Sequence, residues 1–158
     1  MSAQLKPNLS LRPMQMDDLD AIMQIEPTIY SHPWTRGNFS DSLNSGYSAW
    51  VLEEKNEMIG YALMMMVMDE AHLLNLSIAK QRQKQGLGRY LLEHMVTISK
   101  RHKATNMFLE VRTSNISAIA LYENMGFCEI SVRRGYYPAD PKTSETGRED
   151  AVLMGLAL

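Results

Sequence analysis

The chain has 158 residues, of which 45% are hydrophobic and 22% charged, a composition typical of one globular domain with a single core. With a net charge of −2, the chain has no strong overall electrostatic attraction to nucleic acid or to an anionic membrane. Its single cysteine excludes an internal disulfide. No Cys/His spacing indicates a metal site, and no run approaches the ~20 apolar residues of a membrane span. We therefore expect residues 1–158 to form one cytoplasmic, monomeric domain without metal.

The first elements in chain order are a short strand and a helix. Residues 10–14 (SLRPM) predict a strand that ends at Pro13. Asp17 is placed to cap the helix, and Pro27 favours its end. One face of this helix carries the apolar residues Leu19, Ile22 and Met23.

A second short helix is predicted to begin after Thr35, a residue type that is preferred at helix N-caps. Trp34 and Phe39 have the spacing of a hydrophobic staple, in which the residue before the cap packs on the first turn. This pair predicts where the helix begins and how the chain enters it.

Three strands are predicted next. Residues 48–54 (SAWVLEE) and 58–68 (MIGYALMMMVM) indicate two strands joined by the polar turn KNE, and residues 72–79 (HLLNLSIA) indicate another. The consecutive methionines 64–66 are more typical of core filling than of a cofactor site.

The second half of the chain alternates helices with strands. The predicted elements are a helix over 87–103, a strand over 107–111, a helix over 117–126, and closing strands over 127–137 and 150–158. Gly126 is placed as the glycine that ends the second of these helices, and a long polar loop, 138–149, separates the closing strands. The order β-α-α-β-β-β-α-β-α-β-β predicts an α/β fold with a mixed sheet and helices on both faces.

Two glycines, Gly86 and Gly88, stand where the helix over 87–103 begins. A nucleotide-binding P-loop would need Gly-Lys-Ser/Thr after the second glycine, where Arg89 and Tyr90 stand instead, and a dinucleotide fingerprint would need a glycine in place of Leu91. A third interpretation is a flexible turn that leads into a helix. The preceding apolar strand, the flanking basic residues and the free N–H groups of a helix start favour a cradle for pyrophosphate.

The segment QKQGLG, residues 83–88, matches the motif Q/R-x-x-G-x-G/A of the GNAT family of N-acetyltransferases, which bind acetyl-CoA. The pieces HPW, DEAHLLNLSIA, QGLGRYLLEH, LEVRTSNISAIALYENMGF, RRGYYP and GREDAVLM resemble more narrowly the bacterial RimI type, the ribosomal-protein alanine N-acetyltransferases. The resemblance spans nearly the whole chain. It implies the GNAT fold, a mixed and mostly antiparallel sheet, with acetyl-CoA as co-substrate. The implied substrate is the N-terminal alanine of the eighteenth small-subunit ribosomal protein, with no direct contact to nucleic acid.

The resemblance also implies which residues bind acetyl-CoA. The residues of the pyrophosphate cradle are Gln83, Lys84, Gln85, Gly86, Leu87, Gly88 and Arg89. Leu76, Ser77 and Ile78 would offer backbone groups to the pantetheine arm as if it were an added strand, although this strand could equally pair only within the sheet. Asn115 could cap the following helix, bond the pantetheine arm, or do both.

Two catalytic residues follow from the same resemblance. It makes Glu110 the general base, acting directly or through a water, whereas the residues alone favour a surface carboxylate paired with Arg112. It makes Tyr122 the general acid that protonates the CoA thiolate, whereas the helical spacing alone favours packing against Ile119. Both alternatives remain open at this point.

For the substrate side, the resemblance makes Trp34 and Tyr136, with Tyr137, the walls of a peptide groove, where the pattern alone indicates staple and strand-end aromatics. Ribosomal proteins tend to have basic N-terminal segments, so acidic groups near the cleft should attract them. The candidates are Asp69, Glu70 and Glu149.

The chain departs from the RimI pattern in three places. Residues 79–82 (AKQR) replace an acidic-Pro-acidic-aromatic run, and Lys84 stands where arginine is common. The loop between Tyr137 and Gly147 is a few residues longer, which leaves its substrate contacts open.

The remaining reactive side chains favour no site. Cys128 stands among apolar neighbours and is expected to be inert. The histidines at 32, 72, 94 and 102 are expected at the surface or with satisfied hydrogen bonds.

Two rival functions remain compatible with the pattern. One is the acetylation of lysine or a small amine, and the other is a non-catalytic CoA-binding sensor. The presence of both Glu110 and Tyr122 argues against the sensor, which needs neither residue for binding.

Overall fold

In the computed structural model, which describes residues 8–158, seven strands form one sheet. The strands are β1 Leu9–Pro13, β2 Ser48–Glu54, β3 Glu57–Val67, β4 Glu70–Ile78, β5 Asn106–Arg112, β6 Cys128–Pro138 and β7 Arg148–Ala157. The helices are α1 Leu19–Ile29, α2 Arg36–Asn44, α3 Leu87–Arg101 and α4 Ile116–Asn124, with 3-10 turns at Met16–Asp18 and Lys80–Arg82. The spatial order of the strands is β1-β2-β3-β4-β5-β7-β6, and only β4 and β5 pair in parallel. The predicted element order and mixed, mostly antiparallel sheet are confirmed.

Two hydrophobic cores lie on opposite faces of the sheet. The larger core packs α3 and α4 against the sheet, including Leu91 and Met95 of α3 with Met107 and Leu109 of β5. The smaller core packs α1 and α2 against residues of β2 and β3. Because the smaller core contains no residue of β5, β6 or β7, that half of the second face is left open.

The strands β4 and β5 separate partway along their length. They pair in parallel only from Glu70 with Asn106 to Leu73 with Leu109. Beyond Leu73, β4 continues to Ile78 and pairs there with β3 alone. The edge of β4 that faces β5 is therefore open over its last residues, which creates a cleft in the middle of the sheet.

The predicted cap of the first helix is wrong. Asp17 lies inside the 3-10 turn Met16–Asp18, which precedes α1. The backbone N–H of Gln15 donates to Asp18 Oδ2 at 2.7 Å, so Asp18 and not Asp17 closes this entry. The sequence put the cap one residue too early, because Asp17 and Asp18 lie in a 3-10 turn that precedes the helix.

The predicted end of the first helix is also wrong, because Pro27 lies inside α1 and the helix continues to Ile29. An internal proline removes one helical hydrogen bond, at a cost of about 3 kcal/mol. Tertiary contacts hold the last turn: the hydroxyl of Tyr30 donates to Leu76 O at 3.1 Å, and Glu26 Oε2 accepts from the N–H of Trp34 at 3.0 Å.

Other local predictions are confirmed. Thr35 Oγ1 accepts from the N–H of Asn38 at 3.1 Å, and the rings of Trp34 and Phe39 lie 5.1 Å apart as a hydrophobic staple. Gly126, with φ of +103°, follows the end of α4 in the left-handed conformation that a helix-ending glycine adopts. Within residues 8–158, no helix combines the length and apolar character needed to cross a membrane.

Candidate active site

A cavity of about 660 Å³ lies between the open edge of β4, the start of α3, the helix α4 and the end of α1. It brings together most of the residues that the sequence predicts for acetyl-CoA. Those that line it are Leu76, Ile78, Gln83, Lys84, Gly86, Gly88, Arg89 and Asn115, with Tyr122 in the wall. We call this space the donor cavity.

Three of the predicted cofactor residues do not line the donor cavity. Leu87 is buried in the larger core. Ser77 is also buried, and its hydroxyl forms a hydrogen bond of 2.7 Å with the hydroxyl of Tyr30. Gln85 is exposed and accepts from Arg82 Nε at 3.2 Å. The backbone groups of a residue can face the cavity even where its side chain points away. Any role of Ser77, Gln85 and Leu87 in binding acetyl-CoA would therefore depend on their backbone groups alone.

The start of α3 has the features of an anion-binding helix terminus. Gly86 occupies the N-cap with φ of +81°, and no side chain of the described residues caps this helix. The first N–H groups of a helix have no intrahelical acceptor, and with the helix dipole they attract negative charge. Gln83 Nε2 donates to Ile78 O at 3.0 Å, which ties the glycine loop to the end of β4.

The basic side chains around this helix start do not all face the donor cavity. Lys80, Lys84 and Arg89 line it. Arg82 instead points to Glu54 of β2, with Nη1 2.7 Å from Oε1. Lys80 and Lys84 therefore remain beside the helix start together with Arg89, whose Nε lies 3.4 Å from Glu93 Oε2.

The open edge of β4 lies in the wall of the donor cavity, as expected for a strand that receives an extended ligand. Leu76 and Ile78 line the cavity, and both pair with β3 on the other side. One edge of β4 therefore pairs within the sheet, and the other is open, so the role of this edge toward the pantetheine arm stays a prediction. Asn115 caps α4, with its Oδ1 accepting from the N–H of Ala118 at 3.3 Å, and it also lines the cavity, so its contact with the pantetheine arm stays a prediction.

Tyr122 is 8% exposed and lies in the wall of the donor cavity. Its ring packs on Phe127, with the centroids 5.6 Å apart, so it is also part of the larger core. Its hydroxyl makes no hydrogen bond to the described part of the chain. Burial raises the pKa of Tyr122, and the nearby Tyr30 and Tyr137 raise it further. The phenol therefore stays protonated at neutral pH.

Glu110 lies on the open face of β5, and its predicted alternative partner is wrong. Arg112 instead binds Glu149 of the neighbouring strand β7, with Nη1 3.1 Å from Oε1. The partner of Glu110 is Arg133, whose Nε lies 2.7 Å from Oε2. Oε2 is buried and forms no hydrogen bond with residues 8–158, so we interpret the contact with Arg133 as an ion pair.

The two tyrosines at the end of β6 lie near these charges. The guanidinium of Arg112 is 4.5 Å from the centroid of the Tyr137 ring, and Arg133 is 5.4 Å from that of Tyr136. Burial, followed by the charge of Glu110, raises the pKa of Tyr137 to about 12. Tyr136 is 42% exposed and lies outside the donor cavity.

Trp34 is also outside the donor cavity. It lines a separate space of about 400 Å³ beside α2, with Asn38 and Tyr47 among the neighbouring residues. The structure therefore does not bring Trp34 and Tyr136 together, and the staple with Phe39 accounts for the position of the indole.

Sequence reasoning missed Tyr30 and Arg133 and gave Arg112 the wrong partner. Tyr30 lines the donor cavity and bonds β4, while Arg112 and Arg133 hold the carboxylates Glu149 and Glu110. Tyr30 could have been noticed in the sequence, because its hydroxyl-bearing ring lies just before the segment HPW. The arginines had no such signal, because their partners lie on other strands.

One prediction about a side chain outside the donor cavity is wrong. His94 is not satisfied: its Nε2 is buried without a hydrogen-bond partner in the described residues, its ring lies 4.5 Å from that of Trp50, and burial lowers its pKa. Cys128 is exposed, and its inertness stays a prediction. Among residues 8–158, no group of three or more His, Cys, Asp or Glu side chains is arranged to hold a metal.

Comparison with known proteins defines the class to which this fold and cavity belong. The model of the acetyltransferase (GNAT) family matches residues 19–127, more than half of the chain. The chain belongs to this family, whose members use acetyl-CoA, and the predicted GNAT fold is confirmed.

Individual relatives narrow the comparison. The chain is 38% identical over 145 residues to the [ribosomal protein bS18]-alanine N-acetyltransferase of Escherichia coli (strain K12), covering 92% of this chain and 95% of the relative. It is 31% identical over 156 residues to a putative enzyme of the same name from Bacillus subtilis (strain 168), covering 98% of this chain and 99% of that one. The crystal structure of the ribosomal-protein-S18-alanine N-acetyltransferase from Escherichia coli matches with a TM-score of 0.85 and 37% identity, over 94% of this chain and 93% of that chain.

Proposed function

We propose that the protein is an acetyl-CoA-dependent N-α-acetyltransferase that acetylates the N-terminal alanine of a small-subunit ribosomal protein, bS18, the substrate in the names of its relatives. The observation that carries this proposal is the donor cavity, which joins an anion-binding helix start to Tyr122, with Glu110 on the neighbouring strand. The coverage and identity of the relatives support the choice of substrate.

The residues of the donor cavity fit acetyl-CoA. Gly86 has a positive φ, and a Cβ there would meet no atom of the described residues within 4 Å apart from its chain neighbours, so there is space for a ligand beside this backbone. The helix N-terminus and Lys80, Lys84 and Arg89 supply positive charge for phosphates. The open edge of β4 offers backbone groups to the amides of the pantetheine arm. When bound, acetyl-CoA supplies the activated thioester.

The acceptor must be a neutral amine. An α-amino group has a pKa near ~8, so part of it is neutral at pH 7, whereas a lysine amine near ~10.4 is far less available. A carboxylate is therefore a sufficient base for an N-terminal substrate. In this proposal the Glu110 carboxylate takes the proton of the attacking amine, either directly or through a water, while Arg133 holds the carboxylate in an ion pair.

Collapse of the tetrahedral adduct breaks the carbon–sulfur bond and releases CoA as a thiolate. Tyr122 donates its phenolic proton to that sulfur in this proposal. The raised pKa of Tyr122 keeps the proton in place until the sulfur develops charge, and the hydroxyl has no competing partner among the described residues. The proton that Glu110 removes and the one that Tyr122 gives balance over one turnover.

Mass spectrometry after incubation with acetyl-CoA tests this function. One peptide carries a free N-terminal alanine and no lysine, and the matched peptide has a blocked N-terminus and an internal lysine. We expect acetylation of the first peptide only. Preferential acetylation of the second would indicate a lysine acetyltransferase, and acetyl-CoA binding without either product would indicate a sensor.

A further inference from the structure

A second groove, of about 260 Å³, lies on the open face of the sheet and begins at Glu110. We call it the outer groove. Its other principal lining residues are Glu70, His72 and Leu74 of β4, Phe108 of β5 and Arg133 of β6. It runs along β5 away from the donor cavity. Phe108 and Glu110 point to the open face of the sheet, because they alternate along β5 with the core residues Met107 and Leu109.

The outer groove is apolar in the middle and charged at both ends. Leu74 and Phe108 form the middle, and Leu74 is 37% exposed although it is a large apolar side chain. At the end near the donor cavity, Glu110 and Arg133 cancel each other's charge. At the far end, Glu70 Oε1 lies 3.0 Å from His72 Nε2. A neutral imidazole can donate this hydrogen bond, and the carboxylate then keeps its negative charge.

The three acidic residues considered for attracting a basic peptide differ in the structure. Glu149 is held by Arg112 and by the backbone N–H of Ser114, the latter at 2.8 Å. Asp69 accepts from the hydroxyl of Thr105 at 3.2 Å and does not line the outer groove. Only Glu70, of these three, lines the same groove as the proposed base.

The length of the outer groove matches a short peptide segment. Glu70 pairs with Asn106, four residues before Glu110 on β5, so the two carboxylates are roughly 13 Å apart along the strand. An extended peptide advances about 3.5 Å per residue. With its terminal amine at Glu110, the second or third residue of such a peptide can lay a long side chain over Leu74 and Phe108 and bring its head group to Glu70.

We propose that the outer groove is a subsite for a cationic side chain, arginine or lysine, at the second or third residue of the acceptor peptide, with Glu70 as its counter-ion. The apolar middle suits the aliphatic stem of such a side chain. The subsite rests on the proposed function, since it assumes that the acceptor amine lies at Glu110.

The test uses alanine-initiated peptides that carry arginine, glutamine or glutamate at residue two, three or seven, with position seven as a control beyond the groove. For each position, kcat/KM is measured for the arginine, glutamine and glutamate peptides in four proteins. They are the wild type, Glu70→Gln, the charge-reversal variant Glu70→Lys, and the matched control Glu57→Gln, which changes an exposed carboxylate at the start of β3.

In the wild type and in Glu57→Gln, we expect the ratio of kcat/KM for the arginine peptide to that for the glutamine peptide to be roughly 3- to 10-fold at residue two or three and near one at residue seven, as for a partly exposed ion pair. The ratio should fall to near one in Glu70→Gln, and Glu70→Lys should favour the glutamate peptide. Equal rates for arginine and glutamine peptides in the wild type, or a ratio that survives in Glu70→Gln, would overturn the subsite and leave the proposed function standing. Failure of the wild type to acetylate any alanine peptide would overturn the proposed function, and the subsite with it.

Discussion

The donor cavity and the outer groove are built in different ways. In the donor cavity, the backbone groups that we propose bind acetyl-CoA come from one stretch of chain, the end of β4 and the start of α3, which are consecutive in sequence. The outer groove uses side chains from four strands, β4, β5, β6 and β7. Backbone groups are the same for every residue type, so they suit a constant ligand such as acetyl-CoA. Side chains can change singly, so they suit an acceptor that differs between enzymes.

The largest expected effect comes from Glu110→Gln, which keeps the size of the side chain and removes the base. Turnover should fall by roughly 10²–10⁴ at neutral pH, the usual contribution of a general base. Raising the pH should partly restore the rate, because the substrate amine then loses its proton without help. Steady-state kinetics against pH measure this, with Glu129→Gln on the exposed edge strand as the control. A near-normal rate at pH 7 would assign the proton to another group.

Tyr122→Phe should have an effect of up to the same size, roughly 10²–10⁴ in kcat, with little change in KM. The ring and its packing on Phe127 remain, and only the proton donor is lost. Tyr47→Phe, beside the separate cavity near α2, is the matched control. With an acetyl donor whose leaving group is better than the CoA thiolate, Tyr122→Phe should lower kcat by less. Full activity in Tyr122→Phe would make this residue a core aromatic alone.

Gly86→Val should weaken acetyl-CoA binding by roughly 10-fold or more, because a β-branched residue at φ of +81° is strained by about 1–3 kcal/mol and its side chain enters the donor cavity. Gly46→Val is a matched control, since Gly46 has φ of +78°, also has open space around it, and lies between α2 and β2. The control should lose stability to a similar degree and keep its affinity. Equal affinity losses in the two variants would mean that strain, and not approach to the ligand, is responsible.

The smallest expected effect is on stability at high pH. Burial raises the pKa of Tyr30 to about 12, above the value near ~10 in an unfolded chain. As the pH rises above ~10 the unfolded chain ionises first, so the stabilising contribution, complete below pH ~10, is lost as the pH approaches 12. Urea unfolding measured against pH should show this loss, and Tyr30→Phe should make it smaller. A free energy of unfolding that does not change between pH ~9 and ~12 would contradict the burial of this hydroxyl.

Much of the donor cavity could be predicted from sequence, because its signals are local. The helix after Gly86 shows apolar residues at helical spacing, and the paired glycines mark a close approach to the backbone. The helix cap at Thr35 and the helix-ending glycine Gly126 could also be predicted, because their signals lie in a few neighbouring residues.

The acceptor side could not be predicted in the same way, because its contacts depend on the order of the strands. Glu110 meets Arg133 only because β7 lies between β5 and β6 and a long side chain reaches across it. Pro27 gave a wrong helix end because tertiary contacts hold the turn around it: Tyr30 donates a hydrogen bond to Leu76 O, and Glu26 accepts one from the N–H of Trp34. Such pairs carry no periodic signal along the chain.

The division between the two sites is tested most directly by calorimetric titration of acetyl-CoA into Glu110→Gln and Gly86→Val side by side. If the backbone of the donor cavity holds acetyl-CoA and Glu110 acts only on the acceptor amine, Glu110→Gln should keep the wild-type Kd. Gly86→Val should bind roughly 10-fold more weakly. A loss of affinity in Glu110→Gln as large as that in Gly86→Val, or an unchanged Kd in folded Gly86→Val, would contradict this account.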